Sequence, residues 1–421
     1  MPEESFFPDN LLARLSKILT SNDAHLKTAV SSLSQHFGDA AFLAQHYIQP
    51  HAQSEPLSEG ESASRRPVFG LLNEFFEEAK KNQDQSNALL VCGDAGVGKT
   101  SLLMMVTLTH LAGLAPSHHD CVLLPLDDST LEAIGKLRAP RRTILLLDAS
   151  SAGPDAITEV LQATRAVHRV VITCRPSALR GQLLGATRVV YLSLFNHTQT
   201  DKYLKRRFQR MKEPNRKRVK GILNAMGTLG GRPLWLNHMD GFVHTRRKSW
   251  NVFAAYEALI DHWLDEEQRR QSNKAWDRDA ALQACIHLAM TGEASEPIKT
   301  LESKGRSLLR KDRQGKLRFT HRSIHEFLVV LGMKNGKPAG KQRLPSTDLM
   351  IQLLALSDDA AVSWQTLDLT SASLAEITLH DADFTKAACD AVVFVRSAFH
   401  RANFSQATLR SCEASEVKFD T

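Results

Sequence analysis

Short, mostly apolar runs and longer stretches with helical spacing take turns along the first half of this chain. Ala88–Cys92, Cys121–Leu124, Thr143–Leu147, Val170–Cys174 and Val189–Leu192 each offer four or five residues suited to a strand. Enough chain follows each for a helix. Alternation of this kind is what a parallel sheet with crossover helices requires, so the pattern predicts an α/β core. Before it, Leu11, Leu12, Leu15, Ile18 and Leu19, then Leu26, Val30 and Leu33, are spaced as helix faces, and HAQSEPLSEGESASRRP reads as a flexible linker.

The last part of the chain follows another rule. From Leu369 onward an apolar or small residue recurs every five positions: Leu374, Leu379, Phe384, Cys389, Phe394, Phe399, Phe404, Leu409, Ala414 and Phe419. Two positions before each sits a second, usually smaller one, such as Ala382, Ala387, Val392 and Ala402. A period of five fits neither a helix face nor an alternating strand. It fits a solenoid that turns one residue inward on each side.

Composition narrows the class. With 421 residues the chain is too long for one ordinary domain and predicts roughly three. Hydrophobic residues make up 43% and charged residues 24%, the balance of a soluble globular protein. The six cysteines show no metal-ligand spacing and read as reduced, mostly buried thiols. The start, MPEESFFPDN, lacks the features of a signal peptide, and no uncharged run reaches the roughly 18 apolar residues of a membrane span. These observations predict a cytoplasmic protein with no membrane partner.

The net charge of +7 is concentrated between Lys202 and Lys220, which holds Lys205, Arg206, Arg207, Arg210, Lys212, Arg216, Lys217 and Arg218 as well. On a helix these would form a basic face able to meet nucleic-acid phosphates. A solvated or acid-packed helix surface explains the run equally.

The sharpest chemical signal is residues 88–101, ALLVCGDAGVGKTS. A strand runs into Gly93-Asp94-Ala95-Gly96-Val97-Gly98-Lys99-Thr100, and a helical stretch follows from Ser101. The glycines let successive backbone N–H groups turn inward toward phosphate oxygens, and the helix aims its positive end at the same place. Lys99 would reach the β- and γ-phosphates, and the Thr100 hydroxyl would ligate Mg²⁺. The run therefore predicts a nucleoside triphosphate site. The strand TILLLDAS ends in Asp148, placed to hold the Mg²⁺ shell. A competing candidate, CVLLPLDDS with Asp127 and Asp128, carries Pro125, which suits a central strand badly. The strand VVITCRPS ends in Arg175, which could touch the γ-phosphate; a strand-end salt bridge is its simpler reading.

Taken together the pieces resemble the NACHT family of STAND NTPases. VVITCRP looks like that family's sensor strand, and YLSLFNHTQTDKYLKRRF (191–208) is similar to the start of its helical domain. LGGRPLWL (229–236) matches the place where a proline, here Pro233, packs beside base and ribose. YEALIDHWLDEEQRR (256–270) resembles the helix that follows, and RFTHRSIHEFLVVL (318–331) its winged-helix signature. The resemblance implies ATP and ADP as ligands and a contact from His321 to the β-phosphate of ADP that locks a resting state. Standing alone, a histidine on an amphipathic helix is more often a packing residue. The family usually places acidic residues three or four positions after its strand-end aspartate, whereas here Ala149, Ser150, Ser151 and Ala152 intervene before Asp155. Slow turnover is the expectation, with Lys99, Asp148 and Arg175 as the catalytic candidates.

The five-residue period resembles pentapeptide repeats, which coil as a four-sided right-handed β-helix; its mixed charges speak against mimicry of DNA. The expected organisation is a helical segment and linker at 1–66, the NTPase core at 67–200, a helical domain at 201–275, a winged-helix-like domain at 276–348 and the repeat at 349–421. A NACHT core ending in such repeats resembles bacterial proteins that defend against phage. It implies a switch that forms homo-oligomers when a phage-derived or host trigger displaces ADP in favour of ATP. The alternative is a scaffold or nucleic-acid-binding regulator for which ATP is structural. Residues 1–66 read as an oligomerisation or death-fold-like module, or only a clasp on the core.

Overall fold

The computed structural model describes residues 15, 23–54, 65–78, 86–94, 96–114, 119–149, 152–179, 187–209, 213–226, 230–243, 250–270, 276–300, 308–311, 315–319, 321–335, 344–356, 364, 367–370, 372, 374–375 and 377–420. The chain divides into two compact units, Met1–Leu223 with Gly227–Asn237, and Asn224–Met226 with His238–Thr421.

The first unit is built on a sheet of β1 (His51–Gln53), β2 (Arg66–Pro67), β3 (Ala88–Cys92), β4 (Asp120–Pro125), β5 (Thr143–Asp148), β6 (Arg169–Cys174) and β7 (Arg188–Leu192). Its order is β2-β1-β7-β3-β6-β5-β4. From β7 to β4 every pairing is parallel, so all five expected strands are present and β3 lies between β6 and β7. Their continuous apolar character has a plain cause, since both faces are covered. Leu89, Val91, Ile144, Leu146 and Val171 face one core, with residues of the helices Ala24–Phe37, Ala40–His46, Val68–Glu77 and Lys99–Leu111. Ala88, Leu90, Leu145, Leu147, Val170 and Ile172 face the other, with Ile157 and Val160 of the helix Pro154–Ala163.

β4 is the edge of the sheet, which removes the objection to Pro125: it is the last residue of the strand. Asp127 beyond it accepts from the Ser129 N–H and hydroxyl, so its carboxylate shapes a turn. The linker reading fails at its two ends. β1 pairs antiparallel with β7 and with β2, with Ala52 opposite both Leu192 and Arg66. A three-residue strand shows too little alternation to read, yet it extends the sheet and hands the Ser193 N–H a partner at the His51 carbonyl, 2.9 Å away. Positions 55–64 of that segment, and Leu11, Leu12, Ile18 and Leu19, lie outside the described residues. Leu15, Leu33, Ala40 and Ala44 are buried in the same core as the sheet. The N-terminal helices therefore belong to this unit's interior.

In the second unit Tyr256 and Phe253 of the helix Val252–Arg270 pack on Phe327 of the helix Arg322–Lys334, at 5.3 and 5.2 Å between ring centroids. The strands Leu309–Lys311 and Leu317–Phe319 form an antiparallel pair ahead of that second helix. Near the end of the chain, strands pair in parallel with strands twenty residues on. Thr378 lies opposite Ala398 and Ala398 opposite Lys418, while Ala388 lies opposite Thr408. A left-handed residue recurs every five positions from Asp381 to Glu416 and turns the corners. Inside, Trp364 stacks on Phe384 and Phe384 on Phe404, at 4.9 and 4.6 Å.

The aromatic column gives a stability test. Phe384 is fully buried whereas Phe419 is 66% exposed. Phe384→Ala is expected to cost about 3–5 kcal/mol, and Phe419→Ala less than ~1 kcal/mol. Chemical denaturation of the full chain measures both.

Candidate functional site

Beyond β3 the chain folds tightly. Gly96 and Gly98 adopt φ of +78° and +94°, a region that side chains rarely tolerate, and a Cβ on Gly96 would also lie 2.9 Å from Leu234. Val97 is buried behind the turn. Gly98 caps the helix Lys99–Leu111, which also carries Thr100 and Ser101 and is buried from Leu102 to Thr109. Gly93 donates its N–H to the Cys174 carbonyl at 3.2 Å, anchoring the loop to β6. Ala95 lies outside the described residues.

Lys99 is the electrostatic centre. It is 5% exposed, and its Nζ donates to the carbonyl oxygens of Gly93 and Asp94 at 2.6 and 2.8 Å. Burial, reinforced by the positive charge of Arg175, lowers its pKa to about 8, against the pull of Asp148 and Asp94. Thr100 donates its hydroxyl to Asp148 Oδ2 at 2.5 Å, and Thr173 of β6 donates to Oδ1 at 3.1 Å. Lys99, Thr100, Asp148 and Arg175 thus share one neighbourhood. Asp155 instead sits exposed in the first turn of the helix Pro154–Ala163. Beneath the loop, Cys92 and Cys174 are register partners with sulfurs 3.1 Å apart. The contact with Cys174 and burial push the Cys92 thiol far up, so it stays protonated and unreactive.

A second segment closes over the loop. The Phe195 N–H donates to the Gly231 carbonyl at 2.9 Å, and the Leu234 N–H donates to the Gly96 carbonyl at 3.2 Å. Pro233, which begins the helix Pro233–Phe242, would lie 3.7 Å from a Cβ on Gly98. Between them Arg232 Nη2 bonds Asp94 Oδ2 at 3.2 Å. Sequence reasoning reached Pro233 but missed Arg232 and Thr173; Thr173 is the register partner of Asp148. His321 belongs to the second unit, where it is the exposed N-cap residue of the helix Arg322–Lys334.

Part of the basic stretch is engaged within the protein. It falls on two helices, His197–Arg207 and Glu213–Ala225, and Arg210 and Lys212 lie outside the described residues. Arg206 donates to the Tyr47 carbonyl at 2.7 Å, and Arg207 lies over the rings of Phe42 and Phe208. Lys220 pairs with Asp201 at 2.8 Å. Lys202, Lys205, Lys217 and Arg218 are exposed, so the stretch is divided between residues that pack on the N-terminal helices and residues that face solvent. Among the described residues no helix is long and apolar enough to cross a membrane, and no group of three or more His, Cys, Asp and Glu could hold a metal ion.

A glycine-rich turn between β3 and a buried helix, an ammonium at its centre and a carboxylate at the end of β5, on the far side of β6, define a P-loop NTPase fold. No family model matches the chain, and no curated protein matches it. Among solved structures it is similar to a Signal Transduction ATPase with Numerous Domains (STAND) protein with a tetratricopeptide repeat sensor from Pyrococcus horikoshii. That match has 16% identity and a TM-score of 0.36, over 67% of this chain and 45% of that one. It is also similar to C. elegans PCH-2, with 13% identity and a TM-score of 0.29, over 46% of this chain and 66% of that one. A third match is the replication initiator DnaA bound to AMPPCP and single-stranded DNA, with 12% identity and a TM-score of 0.29, over 66% and 80%. The chain spans less than two thirds of the length of the first two.

The position of Lys99 can be measured without any ligand. Its pKa of about 8 lies below the 10.5 of an ordinary lysine, so between these values the unfolded chain holds more protons. Stability therefore rises with pH through that window. NMR of ¹³C-labelled lysine is expected to find Lys99 titrating near 8. In Arg175→Ala the value is expected to move upward, because a like charge has gone; an unchanged value contradicts that contact.

Proposed function

We propose that this chain is a nucleotide-operated switch of the NACHT type, alternating between ADP-bound and ATP-bound forms. The observation that carries the reading is the buried Lys99 ammonium beside the Thr100–Asp148 contact. The loop amides and Lys99 hold the phosphates. Thr100 and Asp148 offer the hard oxygen donors Mg²⁺ prefers, a small set completed by phosphate and water. The bound ion would neutralise phosphate charge. Pro233 sits against base and ribose, Arg175 reads the γ-phosphate, and His321 contacts ADP in the resting form.

On this reading residues 276–348 form a winged-helix-like domain, and residues 349–421 form a pentapeptide-repeat domain that serves recognition. Activation exchanges ADP for ATP and drives homo-oligomerisation, because each nucleotide favours one conformation. The biological setting is bacterial defence, with a phage-derived or host molecule as the trigger.

Fluorescent-nucleotide titration of the purified chain, with and without Mg²⁺, tests the core of the proposal. Lys99→Ala is expected to weaken ATP and ADP binding tenfold to a hundredfold, about the worth of a charge-assisted hydrogen bond. Asp148→Ala is expected to remove the Mg²⁺ dependence. Binding that ignores both substitutions overturns the reading. Plating a phage panel on cells expressing the same three proteins tests the biological role, which predicts reduced plaquing with the wild type alone.

A further inference from the structure

We propose that Arg232 is a phosphate-binding residue that the P-loop holds in reserve through Asp94, and that nucleotide takes it over. The inference rests on the reading of the P-loop as a nucleotide site and adds a residue and a competition to it.

The first argument is placement. Arg232 cannot drift from the loop, because its neighbours on both sides are fixed to the same structure. Gly231 accepts from the Phe195 N–H, and a Cβ there would lie 2.7 Å from the Phe195 carbonyl. On the other side the Leu234 N–H bonds Gly96, and Leu234 fills the space a Gly96 side chain would need. The Arg232 side chain is only 15% exposed, so its guanidinium is confined beside Asp94.

The second argument is charge. Asp94 sets a carboxylate at the second position of a loop that otherwise suits anions. Left uncovered it would repel the phosphates the loop is shaped to hold. Its one ionic contact to Arg232 is a single 3.2 Å bond from Nη2, and Asp94 itself is 54% exposed. A pair held by one long bond, with its carboxylate open to water, contributes little and is readily exchanged. A phosphate offers more charge and accepts the planar fork of arginine bidentately, a stronger and more directional contact. Asp94 can swing into water at small cost when the phosphate arrives.

The third argument concerns where the contact sits in the chain. Arg232 directly precedes the helix Pro233–Phe242, which runs from the last residues of the first unit into the second. A change of partner at Arg232 therefore acts at the start of the segment that leaves the nucleotide site.

A double-mutant cycle on the full chain, read as Mg·ATP affinity at constant pH and salt, tests this. Arg232→Ala is expected to weaken binding about tenfold, the loss of one charge-assisted contact. Asp94→Ala is expected to tighten it severalfold, because the competitor has gone. The double variant is expected to stay weaker than the wild type, because the arginine–phosphate contact is still missing even though the repulsion from Asp94 has gone. If Arg232 only neutralises Asp94, the double variant returns to wild-type affinity, and that result overturns the proposal; so does unchanged binding in Arg232→Ala. Arg232→Gln removes the charge while keeping most of the side chain, and gives the same reading should the alanine variant not fold. Lys99→Ala separates the two levels of inference. Wild-type binding that depends on Lys99 but not on Arg232 removes this proposal alone, whereas a wild type that binds no nucleotide removes both.

Discussion

An ammonium group with almost no access to water must be met by fixed partners, and here that demand falls on Lys99. Two carbonyls of its own loop accept from it, and Asp148 and Asp94 supply opposing charge. Even so, burial and Arg175 hold its proton loosely. A site that strains its own cation in this way gains when an anion enters, because the anion relieves the desolvation that the loop carbonyls only partly offset. The left-handed turns at Gly96 and Gly98, the Gly93–Cys174 anchor and the buried helix beginning at Lys99 all serve to keep that ammonium in place.

The sheet supplies the rigidity this needs. β3 is central in a parallel array with both faces covered, so the loop that leaves it starts from the best-packed part of the unit. Asp148 and Arg175 leave neighbouring strands β5 and β6 at the same end, and register carries them there: Asp148 lies opposite Thr173, and Cys92 opposite Cys174. In a parallel sheet the strand ends that follow the same direction collect on one edge, and a ligand site forms where the chains diverge.

The five parallel strands and the glycine-rich loop were legible because both are local patterns, a continuous apolar run and a spacing of glycines before a lysine. The period of five was legible for the same reason, and the corner residues from Asp381 to Glu416 repeat it in the backbone. What stayed hidden was set by distant partners. Ala52 and Gln53 form a strand only because β7 offers an edge. Arg206 and Arg207 looked like surface charge because nothing in the sequence ties them to Tyr47 and Phe42, roughly 160 residues earlier. Arg232 was hidden in the same way, since its partner Asp94 lies 138 residues earlier.

The surroundings of Asp148 bear on what the site can do with a bound triphosphate. Both carboxylate oxygens already accept from hydroxyls, Oδ2 from Thr100 and Oδ1 from Thr173. Each oxygen keeps a further lone pair, so the two hydroxyls fix the orientation of the carboxylate and leave it able to accept from another partner. The next carboxylate along the chain, Asp155, sits exposed in the first turn of the helix Pro154–Ala163. Among the described residues, Lys99, Thr100 and Asp148 are thus gathered in one cluster, and Asp155 is not part of it. For the switch proposed above, that separation would suit a protein that holds its nucleotide for long periods.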